Sequence, residues 1–310
     1  MSTFATSDGV RLHVVEEGPN SPVTVVLLHG WTMDHTSWDE VVAALPSVRV
    51  VRVDFRGHGE SSPAPAGTAT IDQLADDVAE LIVHRVPDGA VVLCGHSLGG
   101  MTMMALAERH PQLVADRVVG AAFVATTSGG LSRLTFGLPR WVAAPVLYIE
   151  KLVNKRLAKV RRPVLLGGLN GVARPGVRWL VFGRSPVRAH IALTAAQVGR
   201  CNPANMVAFR NALNEHERVH ALSAYRSARN VVMAGGRDRL CSVADARVIA
   251  DELPHAELYL YPGAGHMLNY ECAPEVAARI ARLAAERVSD GRSDGGGPAA
   301  DPQPSAAARG

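Results

Sequence analysis

One serine, one histidine and one aspartate in this chain are placed so that they could act as a single chemical unit. Ser97 lies in Gly95-His96-Ser97-Leu98-Gly99, where the apolar run Val91–Cys94 passes directly into a helical stretch. A serine hydroxyl is a poor nucleophile near neutral pH and needs a base, and the base needs a group to orient it. The flanking glycines fit a serine held in strained backbone, because strand and helix pass close on both sides. Of the twelve histidines, His266 follows the strand-like run Ala256–Tyr261, which sets its side chain at the carboxyl end of that run. His96 is locked into the serine turn, His29 and His58 lie in loops, and His13 and His84 fall on an early strand and a helix. Asp238 stands two residues past Gly235-Gly236, which ends the run Asn230–Ala234. The end of the preceding strand reads Thr126-Thr-Ser-Gly-Gly130 and offers no carboxylate, while Asp245 and Asp251 belong to the following helix and face solvent. Ser97 as nucleophile, His266 as base and Asp238 as orienter make acyl transfer the natural chemistry.

The elements that must position these residues alternate regularly. Short β-branched runs at 23–30, 48–55, 90–95, 118–126, 230–236 and 256–263 read as strands buried on both faces. Between them, residues 71–86 place Ile71, Leu74, Val78, Leu81 and Ile82 on one helical stripe, and further helices begin near Ser97 and span 273–287. Such alternation specifies an α/β fold: a mostly parallel, twisted sheet with helices on both faces. The pattern breaks at 131–226, which carries several prolines among short helical fragments, and resumes at Asn230. The expected organisation is a core of 1–130 and 227–288, a basic helical cap or lid of 131–226 inserted after strand 6, and a disordered tail of 289–310. No internal repeat is evident.

Composition narrows the setting. The 310 residues are 47% apolar, enough for a sizeable core. The four cysteines have neither metal-type nor disulfide-type spacing, and the N-terminus lacks signal-peptide features, so a cytoplasmic protein is expected. Segment 131–226 holds sixteen of the 32 Lys and Arg but three of the 29 acids, so its positive field should draw anionic ligands or surfaces. No phosphate loop, dinucleotide fingerprint or zinc pattern occurs, so no cofactor and no metal are expected. The basic segment carries no nucleic-acid reading motif, and no nucleic-acid partner is expected.

The arrangement resembles the α/β-hydrolases, over nearly the whole chain apart from the insertion and the tail. Leu27–Trp38 (LLHGWTMDHTSW) is similar to that family's His-Gly oxyanion loop, and Asp54–Ser62 (DFRGHGESS) to its loop after the next strand. The resemblance implies an oxyanion hole from the backbone N–H groups of Trp31 and Leu98, and a purely structural loop at Arg56–Gly59. It also implies a serine esterase or lipase of the monoacylglycerol-lipase kind. The Trp31 loop with Ser37-Trp38 resembles cofactor-free haloperoxidase-like esterases, whose triad also accepts hydrogen peroxide. A serine at position 97 excludes the carboxylate attack used by epoxide and haloalkane members. Carbon–carbon hydrolysis or acyl transfer to another acceptor would use the same three residues, and a retired scaffold that only binds ligand is the alternative of another class.

Substrate is read from the insertion. Residues 139–168 couple an apolar stretch to six Lys and Arg between Lys151 and Arg162. The pattern suits peripheral contact with an anionic membrane or, equally, a solvated helix covering apolar surface. Trp31, Trp141 and Leu147 are the candidate substrate-binding residues, with Leu152 and Trp179 fitting either an acyl-chain pocket or a small core of the insertion itself. A lipophilic carboxylic ester is the expected substrate.

Overall fold

The computed structural model describes residues 2–45, 48–157 and 170–293. Its sheet has eight strands: β1 Ser2–Ala5, β2 Arg11–Glu17, β3 Val23–Leu28, β4 Arg49–Val53, β5 Ala90–His96, β6 Val118–Val124, β7 Arg229–Gly235 and β8 Glu257–Tyr261. Their order is β1-β2-β4-β3-β5-β6-β7-β8. β1 and β2 form an antiparallel hairpin that joins the sheet antiparallel to β4, and every other pairing is parallel. All six strands read from the sequence are present: four are shorter than their apolar runs, β5 reaches one residue further and β7 is shifted back by one.

The helices are α1 Asp39–Ala44, α2 Ile71–Arg85, α3 Leu98–Arg109, α4 Pro111–Arg117, α5 Arg140–Leu157, α6 Asn170–Val181, α7 Arg188–Arg200, α8 Pro203–Glu215, α9 Val243–Glu252, α10 Leu268–Glu271 and α11 Ala273–Ser293. The apolar stripe of α2 and almost the whole of α3 pack with Phe123, Val232 and Ile249 of α9 on one face of the sheet. On the other, Val41 of α1 and Val276, Ala277 and Ile280 of α11 cover β3, β5 and β7. Burial of the central strands on both faces is what their continuous apolar runs require. β8 departs from that expectation: it pairs only with β7, and Leu260 is exposed, because an edge strand has one open flank.

α11 runs to Ser293, past the point where the tail was expected to begin, because a nucleated helix gains a backbone bond per residue without needing an apolar stripe. Residues 294–310 lie outside the described residues, as do Lys159, Arg161 and Arg162 of the basic run. Between β6 and β7 the described chain forms α5 to α8 and two short 3-10 turns, the second ending at Tyr225, whose buried hydroxyl donates to the Met103 carbonyl of α3 at 2.7 Å.

Candidate active site

β5 ends at His96 and α3 begins at Leu98, so Ser97 alone makes the turn. Its backbone sits at φ 52° and ψ −113°, a region a β-carbon disfavours. Four hydrogen bonds hold it there: Ser97 N–H donates to the Val124 carbonyl at 3.0 Å, and its carbonyl accepts from Gly100 N–H at 2.9 Å, Met101 N–H at 3.2 Å and Thr126 Oγ1 at 2.7 Å. The glycines are sterically required, since a Cβ on Gly95 would run into the backbone of Gly99 and Gly100, and one on Gly99 into the Leu28 carbonyl.

Asp238 follows β7 and His266 follows β8, and the structure brings them together. His266 Nδ1 donates to Asp238 Oδ2 at 2.7 Å, with the two side chains 5% and 0% exposed. The other carboxylate oxygen, Oδ1, accepts from Leu240 N–H at 2.8 Å and Cys241 N–H at 3.0 Å, which fixes the carboxylate plane. With Nδ1 spent on Asp238, the remaining nitrogen Nε2 is the one free to act as base. Ser97 Oγ takes part in no hydrogen bond among the described residues.

His96 ties serine and histidine loops. It is buried, its Nε2 donates to the His266 carbonyl at 3.0 Å, and its ring lies 4.9 Å from that of His266. Burial and then the neighbouring His266 lower its pKa to about 3, so it stays neutral and serves as a fixed strut. A Cβ on Gly30 would stand 2.8 Å from His96 Nδ1 and 3.5 Å from Ser97 Cβ, so only glycine lets the Trp31 loop approach this closely. His29 holds that loop from below: its Nδ1 bonds the Gly30 carbonyl at 2.8 Å and its Nε2 accepts from Phe55 N–H at 2.9 Å. The N–H groups of Trp31 and Leu98 donate to no acceptor among the described residues.

The inserted segment closes over this end of the sheet. Trp31 Nε1 donates to the Met206 carbonyl of α8 at 3.1 Å, Asn205 exchanges two hydrogen bonds with Ala64, and Gln197 and Arg200 of α7 bind Asp34 at 2.8 and 2.5 Å. Although burial opposes it, these bonds and one from Thr36 hold the Asp34 carboxyl down to about 2. Val181, at the end of α6, accepts from the N–H groups of His266 and Met267 at 2.8 and 3.2 Å. Glu271 completes the junction, its two oxygens accepting from Gly183 N–H of the insertion at 2.8 Å and Gly265 N–H of the histidine loop at 2.9 Å.

These are the parts the sequence reading did not find. Glu271 looks like an ordinary helix acid, and its partner Gly183 lies 88 positions away. Arg56 proves structural, as the loop resemblance implies: it is buried, with bidentate bonds to Asp77 and Asp8. Trp141 and Leu147, expected at the substrate pocket, lie on different sides of α5. Trp141 is 80% exposed on the outer side of α5, because the helix turns Ala143 and Leu147 inward instead. Trp31 stays at the site, but its indole N–H is committed to α8.

For metals, the ligating atoms of Asp238, Cys241 and His266 lie within 4.8 Å of one another. Asp238 and His266 are spent on each other, however, and burial, followed by the nearby Asp238 and Asp245 carboxylates, keeps the Cys241 thiol well above its ordinary range. A protonated thiol and an occupied carboxylate make a poor cation site.

Residues 25–279 match the model of the alpha/beta hydrolase family. The chain belongs to that family. A pimeloyl-[acyl-carrier protein] methyl ester esterase of Aromatoleum aromaticum is 31% identical to this hydrolase over 247 residues, covering 78% of the chain and 90% of the relative. The lipase LipV of Mycobacterium tuberculosis is 36% identical over 110 residues, 36% of this chain, and the match spans 41% of that lipase's length. Among solved structures, a thermophilic esterase from Thermogutta terrifontis superposes with a TM-score of 0.70 at 26% identity, covering 93% of this chain and 96% of that one. The likeness extends across the inserted segment as well as the sheet.

Proposed function

We propose that this hydrolase cleaves carboxylic esters through an acyl-enzyme on Ser97. The observation that carries the reading is the buried Asp238–His266 hydrogen bond, set at the ends of β7 and β8 beside the strained Ser97 turn at the end of β5. His266 Nε2 takes the proton as Ser97 Oγ attacks the ester carbonyl. Asp238 stabilises the imidazolium that forms and holds its tautomer. The carbonyl oxygen, now negative, meets the uncommitted N–H groups of Trp31 and Leu98, the latter at the positive end of α3. Each such donor is worth on the order of 3 kcal/mol of barrier in comparable sites. His266 then protonates the leaving alcohol, and a water activated by the same imidazole frees the acid. Ser97 Oγ has no protein partner in the ligand-free site, and catalytic hydrogen bonds of this kind tighten when substrate binds.

The substrate is a lipophilic acyl ester. Support comes from the names of the relatives, a methyl ester esterase and a lipase, and from an insertion rich in exposed apolar side chains. Residues 131–226 act as the cap of this site, held to the catalytic loops through Val181, Gly183 and Met206. The test is hydrolysis of p-nitrophenyl esters of increasing chain length by wild type and Ser97→Ala. The expected result is turnover that rises with acyl length and a loss of at least a thousandfold in the variant with the fold intact. Turnover unchanged in Ser97→Ala would end the proposal, and products dominated by transfer to an added alcohol would redirect it from hydrolysis to acyl transfer.

A further inference from the structure

Helix α5 is amphipathic in an unusual sense: its outward face is the apolar one. At 3.6 residues per turn, Trp141, Pro145, Tyr148, Ile149 and Leu152 fall on one stripe. Trp141 is 80% exposed, Tyr148 63%, Ile149 59% and Leu152 47%. Inward, the helix sends Ala143, Leu147, Glu150 and Asn154. Glu150 is the only acid of α5, and it is withdrawn from the outer surface by its bond to Arg210 of α8 at 2.8 Å. Lys151 is exposed at one border of the apolar stripe, and Lys155 and Arg156 are exposed at its C-terminal end, one turn past Leu152. A contiguous aromatic and aliphatic face costs free energy in water and marks a surface that is covered in use.

We infer that the outer face of α5 is a docking surface for an anionic lipid bilayer, on which the helix lies flat. Tryptophan and tyrosine suit the headgroup level, where one end of the ring is apolar and the other wet, and the flanking cations meet lipid phosphates. Charge selects this occupant over a second copy of the chain: an interface between two copies of this face would bury Lys151, Lys155 and Arg156 of each, with no acid of α5 on the face to neutralise them, whereas lipid phosphates supply that charge. Among the described residues no helix is long and apolar enough to cross a membrane, so the contact is peripheral. The inference does not depend on the ester-hydrolase reading, but if both hold, the insertion would sit between the lipid surface and Ser97.

The test uses full-length Ser97→Ala protein, so that binding is read without turnover. It is mixed with vesicles of phosphatidylcholine alone or with about one third phosphatidylglycerol, and binding is followed by co-sedimentation and by quenching of tryptophan fluorescence with brominated lipid. The expected result is binding to the anionic vesicles that weakens in high salt, with quenching lost in Trp141→Phe. Each cation near such a surface contributes about fivefold in affinity, so Lys151→Gln, Lys155→Gln and Arg156→Gln together should weaken binding about a hundredfold. Trp141→Ala with Tyr148→Ala should weaken it at least tenfold while the thermal transition stays in place, since both side chains are exposed. No binding to anionic vesicles, or binding indifferent to these substitutions, overturns the inference. So does lipid-free self-association in sedimentation velocity that Trp141→Ala abolishes, which would make the face an interface between copies.

Discussion

Glu271→Gln is the substitution that asks most of the junction between the insertion and the His266 loop. The carboxylate accepts one N–H from each side, Gly183 at 2.8 Å and Gly265 at 2.9 Å, and Gly265 immediately precedes His266. Burial raises the Glu271 pKa, so its charge already stands at a cost that those two donors offset. Glutamine has the same shape but one acceptor oxygen and an amide that donates. One of the two buried N–H groups must then face another donor. A hydrogen bond to a charged group contributes about 1.5–3 kcal/mol, and stranding a buried donor costs about 1–3, while relief of the buried charge returns part of this. The expected loss is about 2–3 kcal/mol, read as a fall in Tm of about 5 °C or more and a lower midpoint in urea at unchanged slope. Because Gly265 sets the position of His266, kcat on a p-nitrophenyl ester should fall about tenfold with KM little changed. A variant that melts within a degree of wild type and turns over normally would show that Glu271 is not a clamp.

Asp238→Asn keeps the shape of the orienting group but allows the wrong imidazole tautomer, so kcat should fall by about 10³–10⁴ with the fold intact, measured by ester hydrolysis and circular dichroism. Acid should unfold the protein through its buried neutral histidines. Burial lowers His29, and takes His58 and His96 to about 3 and His216 to about 4, whereas His35 alone runs the other way: there burial is outweighed by the Asp54 hydrogen bond and charge, and its pKa rises. A depressed histidine contributes fully above its unfolded pKa of 6.5 and loses that contribution as pH falls toward the folded value. Each costs about 1.4 kcal/mol per pH unit in that window, so urea stability should drop steeply between pH 6.5 and about 4, and a flat profile there would contradict the assignment. Trp31→Phe removes the indole bond to the Met206 carbonyl, worth about 1 kcal/mol, and should raise the rate of proteolytic cleavage within 131–226 about fivefold.

What could be read from the sequence follows from what is local. The alternation of β-branched runs and amphipathic stripes is a property of a dozen neighbouring residues, so the parallel sheet and the strand ends carrying Ser97, Asp238 and His266 were legible. Of the N-terminal hairpin only an early strand around His13 was legible, and not β1 or their pairing, because β1 and β2 lie toward one edge of the sheet and mix exposed with buried positions. Contacts across the fold left no local trace. Glu271 with Gly183, Trp31 with Met206 and Asp34 with Arg200 each join positions 88 or more apart. Trp141 shows the converse limit: an aromatic on a helix suggests a pocket by composition, and only the direction of the neighbouring Ala143 and Leu147 reveals that it faces out.

The central claim is that Ser97 Oγ is the nucleophile and that the buried Asp238–His266 pair makes it one. Incubation with a fluorophosphonate ester, followed by intact-mass analysis and peptide mapping, tests this directly. The account predicts one adduct per chain, on the peptide carrying Ser97, forming at least a hundredfold more slowly in His266→Ala. An adduct elsewhere, or labelling of Ser97 at a rate indifferent to His266, would contradict it.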